Sequence, residues 1–271
     1  KVYADGTGDY TGLKAAVSAT PNKNLVSLGE SVTFEIQGDL VNTAGFVDFN
    51  GWTTDSTHKI YIKPKAGLEC TSIAGASGAS FTAGTSYLLA FRNNHCVIDG
   101  IELTGGGNNI YQAANTQILN CLLHNINSRV MIDSGAYAYN CIFYNCGQTN
   151  ATTGYGVYTQ RATLEKCTLI ADANHGGYNG EMIVRYVTST TPVHSTVLYN
   201  ETTGGYDNYL NVTANAASDY NADSEGEAPG TNTFTVTQSD FVDYAGGDFN
   251  ISSSSPLYTA GAGGLPIGAA L

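Results

Sequence analysis

The sequence predicts an all-β solenoid, a coil of short parallel strands arranged in three sheets, and three observations carry that prediction. An octet recurs: "ILNCLLHN" (118–125) returns as "AYNCIFYN" (138–145), then as "LEKCTLIA" (164–171) and "VHSTVLYN" (193–200). "VIDGIEL" (97–103) is an earlier copy and "AASDYNAD" (216–223) a later one. Taking Gly100, Cys121, Cys141, Cys167, Thr196 and Asp219 as equivalent, the steps are 21, 20, 26, 29 and 23 residues. Each octet reads as a short strand, a bend and another short strand, and a unit of this size cannot bury its own apolar face, so copies must stack. Leucine-rich repeats share the period, but their Leu frame and Asn ladder are missing.

Stacking at about 4.8 Å per coil turns the octets into columns. Ile98, Ile118, Leu164 and Val193 form one inward column, and the small Cys, Gly and Thr residues occupy the bend. Cys121, Cys141 and Cys167 then read as buried free thiols acting as small hydrophobes, although six cysteines is an even number. No CxxC pair or Cys/His cluster has zinc-site spacing. The segments between octets vary because they loop outward.

These features resemble the right-handed parallel β-helix proteins of the pectate-lyase-like superfamily. "VYADGTGDYTGLKAAVSA" (2–19) is similar to the opening of many of them: a strand, a Gly-rich turn and a short capping helix whose Leu13, Ala16 and Val17 face the core. The tail "DFVDYAGGDFNISSSSPLYTAGAGGLPIGAAL" (240–271) is similar to the terminal element of secreted and virus-borne β-helices. The resemblance implies a right-handed parallel β-helix with an irregular C-terminal cap. The expected organisation is a single β-helix domain over 1–271, with the N-terminal cap at 1–30, coils at 31–225 and the closing segment at 226–271. Trp52, the only tryptophan, is expected in the core or cap.

The chain has 271 residues, 42% of them hydrophobic, and its 18 Tyr and 9 Phe argue against disorder. A formal charge of −12 opposes binding to nucleic acid, which needs clustered cations, and adsorption to anionic lipid. No run of 18 apolar residues suggests a membrane span, and no basic-then-apolar leader opens the chain.

The local signatures of pectin methylesterases, polygalacturonases and calcium-dependent pectate lyases do not occur, so the sequence leans away from an enzyme. The segments after the octets leave the coil at one phase and should lie side by side, as binding faces of repeat proteins do. That strip brings together His124, Tyr155, Tyr178, Tyr206 and Asp207, a set suited to sugars or a protein edge. Its catalytic version uses Glu181 or His175 as general base, with Arg129 or Arg185 as charge neutraliser in a polysaccharide lyase. In "DYNADSEGE" (219–227), Asp219, Asn221 and Asp223 alternate with Glu225 and Glu227, and Ca2+ is the one cofactor such a run would suit. An acidic turn is the plainer reading. His58, His95 and His194 stand alone in the sequence, each as a hydrogen-bonded or surface histidine.

Three expectations follow. The first is a structural protein of a virion, as capsid decoration or tailspike-like appendage, whose partners are virion proteins or copies of itself and which contacts host-surface glycans. The others are a secreted polysaccharide lyase and an extracellular adhesin module. The expected location is the virion surface or the extracellular space. An unpaired cysteine column suits assembly in a reducing cytoplasm, which favours the first.

Overall fold

A computed structural model gives the protein as a parallel β-helix solenoid. It describes residues 1–3, 5–20, 23–42, 47–70, 79–83, 89–91, 95–105, 115–127, 130–133, 135–147, 157–160, 162–172, 184–185, 193–201, 209–210 and 218–271. The chain opens with β1 (Val2–Tyr3), the helix α1 (Leu13–Ala19) and the single turn α2 (Leu25–Leu28). In α1, Leu13, Ala16 and Val17 are buried, as the helical spacing predicts.

Coils follow in order, each placing a strand in a first, a second and usually a third sheet. They are β2 (Val32–Asn42) and β3 (Val47–Asp48); β4 (Ile60–Pro64), β5 (Ala79–Ala83) and β6 (Leu89–Ala90); β7 (Cys96–Asp99) and β8 (Glu102–Gly105). Next come β9 (Gln117–Leu119), β10 (Leu122–His124) and β11 (Val130–Asp133); β12 (Tyr137–Tyr139), β13 (Ile142–Tyr144) and β14 (Val157–Gln160). The series ends with β15 (Thr163–Glu165), β16 (Thr168–Ala171) and β17 (Val184–Arg185); β18 (Val193–His194), β19 (Val197–Asn200) and β20 (Tyr209–Leu210); then β21 (Asn221–Asp223) and β22 (Thr233–Thr235), which both extend the second sheet. Since β2 runs through the first bend, the first two sheets join into one 16-stranded sheet. Every pairing within the coils is parallel.

The register sets the core. In the first sheet Phe34, Ile62, Ile98, Ile118, Ala138, Leu164 and Val193 are consecutive partners, all at most 5% exposed. This is the inward column read from the octets. In the second sheet Leu40, Phe81, Leu103, Leu123, Phe143, Leu169 and Leu198 stack likewise. Each such side chain contributes roughly 1.5–3 kcal/mol on burial. At the N-terminal end Phe49 stacks on Phe91 with ring centroids 5.1 Å apart, and Trp52 packs against Phe34 and Phe49.

The bend explains the octet's Asn-Cys pair. Gly100, Asn120, Asn140, Lys166, Ser195 and Tyr220 all have φ between 48° and 69°, the left-handed region that Gly and Asn tolerate best. The following residue turns its side chain inward and donates to the carbonyl two positions back, at 3.0 Å for Cys121, 3.3 Å for Cys141, 3.4 Å for Cys167 and 3.0 Å for Thr196. Cys suits the place because it is small, apolar and still a weak donor. A second bend repeats the grammar at Asn145 and Cys146, whose thiol faces the Leu123 carbonyl at 3.4 Å. The alignment of octets needs one correction: Gly100 matches Asn120, so the partner of Cys121 is Ile101, and the partner of Thr196 is Asn221. Outside the bend, Asn140 donates its amide to Asn120, and Asn120 to Asp99, each at 2.8 Å, a short ladder that sequence inspection missed.

We expect Asn120→Ala to cost about 2 kcal/mol, because it removes both the left-handed tolerance and the amide bonds. Asn120→Gly, which keeps the backbone freedom, should cost about half as much. Denaturant melts distinguish them, and equal losses would mean that the backbone conformation carries none of the cost.

Residues beyond the coils do two jobs. Pro229 accepts from the buried Asn221 amide at 2.8 Å, so the turn before β22 covers the last coil. The hairpin β23 (Phe241–Asp243) and β24 (Asp248–Ile251), the one antiparallel pair among the described strands, lies instead on the outer face of the second sheet. There Phe241, Phe249, Ile251, Leu257 and Ile267 bury Leu122, Ile142, Ile170, Val197 and Ala222 in a second core outside the coil. The tail then runs back along the first bend: Gly268, Ala269 and Ala270 donate backbone N–H groups to the Ser195 carbonyl, the Thr168 hydroxyl and the Asn140 side chain. Of the closing segment expected at 226–271, the turn at Pro229 covers the last coil, and residues 241–271 bind along the flank of the solenoid.

Candidate functional site

Four of the segments expected to form a binding strip lie between a strand of the second sheet and one of the third: between β10 and β11, β13 and β14, β16 and β17, and β19 and β20. Of the residues expected there, Arg129, Tyr155, His175, Tyr178, Glu181, Tyr206 and Asp207 lie outside the described residues. Arg185 ends β17, and its side chain lies outside them too.

His124 departs from the expectation: it stands within β10 on the outer face of the second sheet, not in a loop. Its neighbours in register are Thr104 and Tyr144, and Glu102 lies diagonally across, opposite Leu122. His124 Nε2 lies 2.7 Å from Glu102 Oε1, and the Asn125 amide 3.1 Å from Nδ1. The side chains are 12% and 18% exposed. In the neutral ring this arrangement assigns Nε2–H as donor to Glu102 and Nδ1 as acceptor from Asn125. Both nitrogens are then occupied, which makes the pair a tie between coils rather than a general base.

The chemistry-bearing groups of the described chain converge elsewhere, on the outer face of the first sheet. Outward positions in register are Leu119, Tyr139, Glu165, His194 and Asp219, with Asp99 before them and Glu35 paired to Lys63 in the first coils. A cavity of about 430 Å³ lies at one end, lined by Glu35, Lys63, Glu69, Asp99 and Asn120. Tyr3 donates its hydroxyl to Glu35, which pushes the phenol up to about 12, because losing its proton would place two anions together. A cavity of about 560 Å³ lies at the other end, lined by Glu165, Lys166, His194, Asp219 and Tyr220, with Ala262 and Leu265 of the tail as a wall. Sequence reasoning looked at loops and set His194 aside. The usable signal was the strand alternation, which puts Tyr139, Glu165 and His194 outward wherever Ala138, Leu164 and Val193 face in.

The alternating acidic run does not form a one-sided row, since the chain bends at Tyr220 and splits it between two sheets. Asn221 and Asp223 are wholly buried, and their side chains bind backbone: Asn221 spans the Val193 and Pro229 carbonyls, and Asp223 accepts from the Gly226 and Glu227 N–H groups. Burial raises the Asp219 carboxyl, but the Asn232 and Tyr220 N–H groups, the Asn232 amide and the Thr231 hydroxyl outweigh it and hold the group below its ordinary value. Among the described residues no group of three or more His, Cys, Asp or Glu side chains is placed to hold a metal ion. Nor, among them, is any helix long and apolar enough to cross a membrane.

A turn near the N-terminal cap gives a pH prediction. Asp55 accepts from the His58 ring at 2.9 Å, from the His58 and Thr57 N–H groups and from the Thr57 hydroxyl, which together hold its carboxyl well below the usual carboxylate range. A depressed folded value stabilises above the unfolded one, about 3.9, and that contribution is lost as pH falls toward the folded value. Melting temperatures measured from pH 5 down to about 2 should therefore fall less steeply in Asp55→Asn than in the natural protein. Parallel slopes would show that the turn is not formed in solution.

A scan against protein-family models finds none that matches this chain, and a search of curated proteins finds no match either.

Proposed function

We propose that the protein is a structural β-helix of a virion, a capsid decoration or tailspike-like appendage of the pectate-lyase-like type, whose outer faces meet host-surface glycans. The interior supports this reading. All six cysteines are buried, and no disulfide joins them. Cys121, Cys141 and Cys167 stack in one column whose thiols face carbonyls, and burial pushes the Cys141 thiol up, away from the reactive thiolate. Such a core forms in a reducing compartment and later resists oxidation outside it, the history of a particle protein. Two measurements test the reading. Thiol-reactive dye should label no cysteine in the native protein and all six only after unfolding. Immunogold microscopy and peptide mass spectrometry of particles purified from the native source should find the chain on them. Its recovery only in a particle-free secreted fraction would overturn the proposal and favour the lyase or adhesin.

A further inference from the structure

We propose that the outer face of the first sheet, from Tyr137 to Asp219, is a carbohydrate-binding site for neutral hexose units of a glycan chain. This deepens the glycan contact suggested above and moves it away from the loop strip. Three features of different kinds meet here. The rings of Tyr137 and Tyr139 are stacked, with centroids 6.0 Å apart at 24°, and form an aromatic platform on the sheet. The cavity of about 560 Å³ opens one strand further on, because Tyr139 pairs with Glu165 and Glu165 with His194. Its wall is Ala262 and the half-exposed Leu265 of the tail.

The hydrogen-bonding groups inside divide into fixed and available. Asp219 is engaged by Asn232, Tyr220 and Thr231 and serves the closing turn. Tyr137 donates to Glu165 Oε2 at 2.7 Å, which orients the carboxylate and leaves Oε1 as a further acceptor. Lys166 lies over the Tyr139 ring at 5.8 Å, and among the described residues its ammonium and the His194 ring have no hydrogen-bonding partner. One acceptor and two donors around aromatic faces match the CH faces and hydroxyls of a pyranose. The charges select among sugars: two carboxylates and a net charge of −12 disfavour uronates, while a neutral hexose meets no repulsion. Successive strands step by about 4.8 Å, so the platform and the cavity together seat two or three rings.

The test uses purified protein, so it is independent of whether the chain resides on particles. Neutral oligosaccharides of mixed linkage and a galacturonate oligomer are titrated by calorimetry, with the ring proton signals of the five histidines followed by NMR. A neutral oligosaccharide should bind and shift the His194 signal but not that of His58. Tyr139→Ala and His194→Ala should each weaken binding roughly tenfold, while Tyr61→Ala should leave it unchanged. Should Tyr139→Ala fail to fold, Glu165→Gln takes its place. Three results would overturn the proposal: no neutral oligosaccharide binds, only the uronate binds, or binding is unaffected here and lost in Tyr178→Ala plus Tyr206→Ala. In the last case glycan contact stands and the site lies in the loops.

Discussion

Cys141→Asp should unfold the coil or lower its melting temperature by about 10 °C, the effect of roughly 3–5 kcal/mol in a chain of this size. Cys141 is wholly buried between Cys121 and Cys167, and its thiol lies 3.4 Å from the Ile118 carbonyl and 3.3 Å from that of Tyr139. A carboxylate there would meet carbonyl oxygens on both sides and only the weak thiol donors of Cys121 and Cys167. Either it stays charged without a partner, or it takes up a proton at a similar cost. Val242→Asp, at a side chain 56% exposed, is the control and should change stability by no more than about 0.5 kcal/mol. Equal melting temperatures would mean that the column does not face inward.

Phe249→Ala should release the tail from the coil. Phe249 is 2% exposed and touches Tyr144, Phe241 and Tyr244, so its loss costs about 3–5 kcal/mol from one small core. Gly268→Val attacks the same contact at another point: at φ +91°, an added Cβ would stand 2.8 Å from the Thr168 hydroxyl and 3.0 Å from Val197. Both variants should gain protease cleavage around residues 252–255 and bind an apolar dye, while far-ultraviolet circular dichroism of the coil persists. Cleavage no faster than in the natural protein would show that the tail is held by other contacts.

The columns were legible because interior stacking selects residues at every coil: Ile98, Ile118, Leu164 and Val193 fall in register as read. The alignment slipped where size was mistaken for position. Gly100 and Cys121 are both small, but Gly100 is small for its backbone angle and Cys121 for its packing. The tail was misplaced for a related reason. Leu122, Ile142, Ile170 and Val197 point away from the coil and are apolar, so the second-sheet strands are apolar on both faces, the pattern of a sheet covered twice. That pattern was present in the octets and went unread. Of the candidate site, the outward tyrosines and His194 follow from alternation alone. The cavity wall at Leu265 comes from a tail 71 residues further along (265 − 194), and no local pattern shows it.

The tail also sets an order of events during synthesis. Its contact between Ala270 and Asn140 closes a separation of 130 residues, against 12 (Asn221 to Thr233) to 42 (Val47 to Leu89) for paired strands of the coils, so it forms late. Until then the nascent shaft carries an uncovered greasy stripe on its second sheet, open to pairing with another unfinished chain. Docking of Phe241, Phe249 and Ile267 removes that stripe only from a shaft whose coils are already stacked in register, since the Ser195, Thr168 and Asn140 acceptors must line up to receive it. The segment thus seals only a shaft whose coils already stand in register.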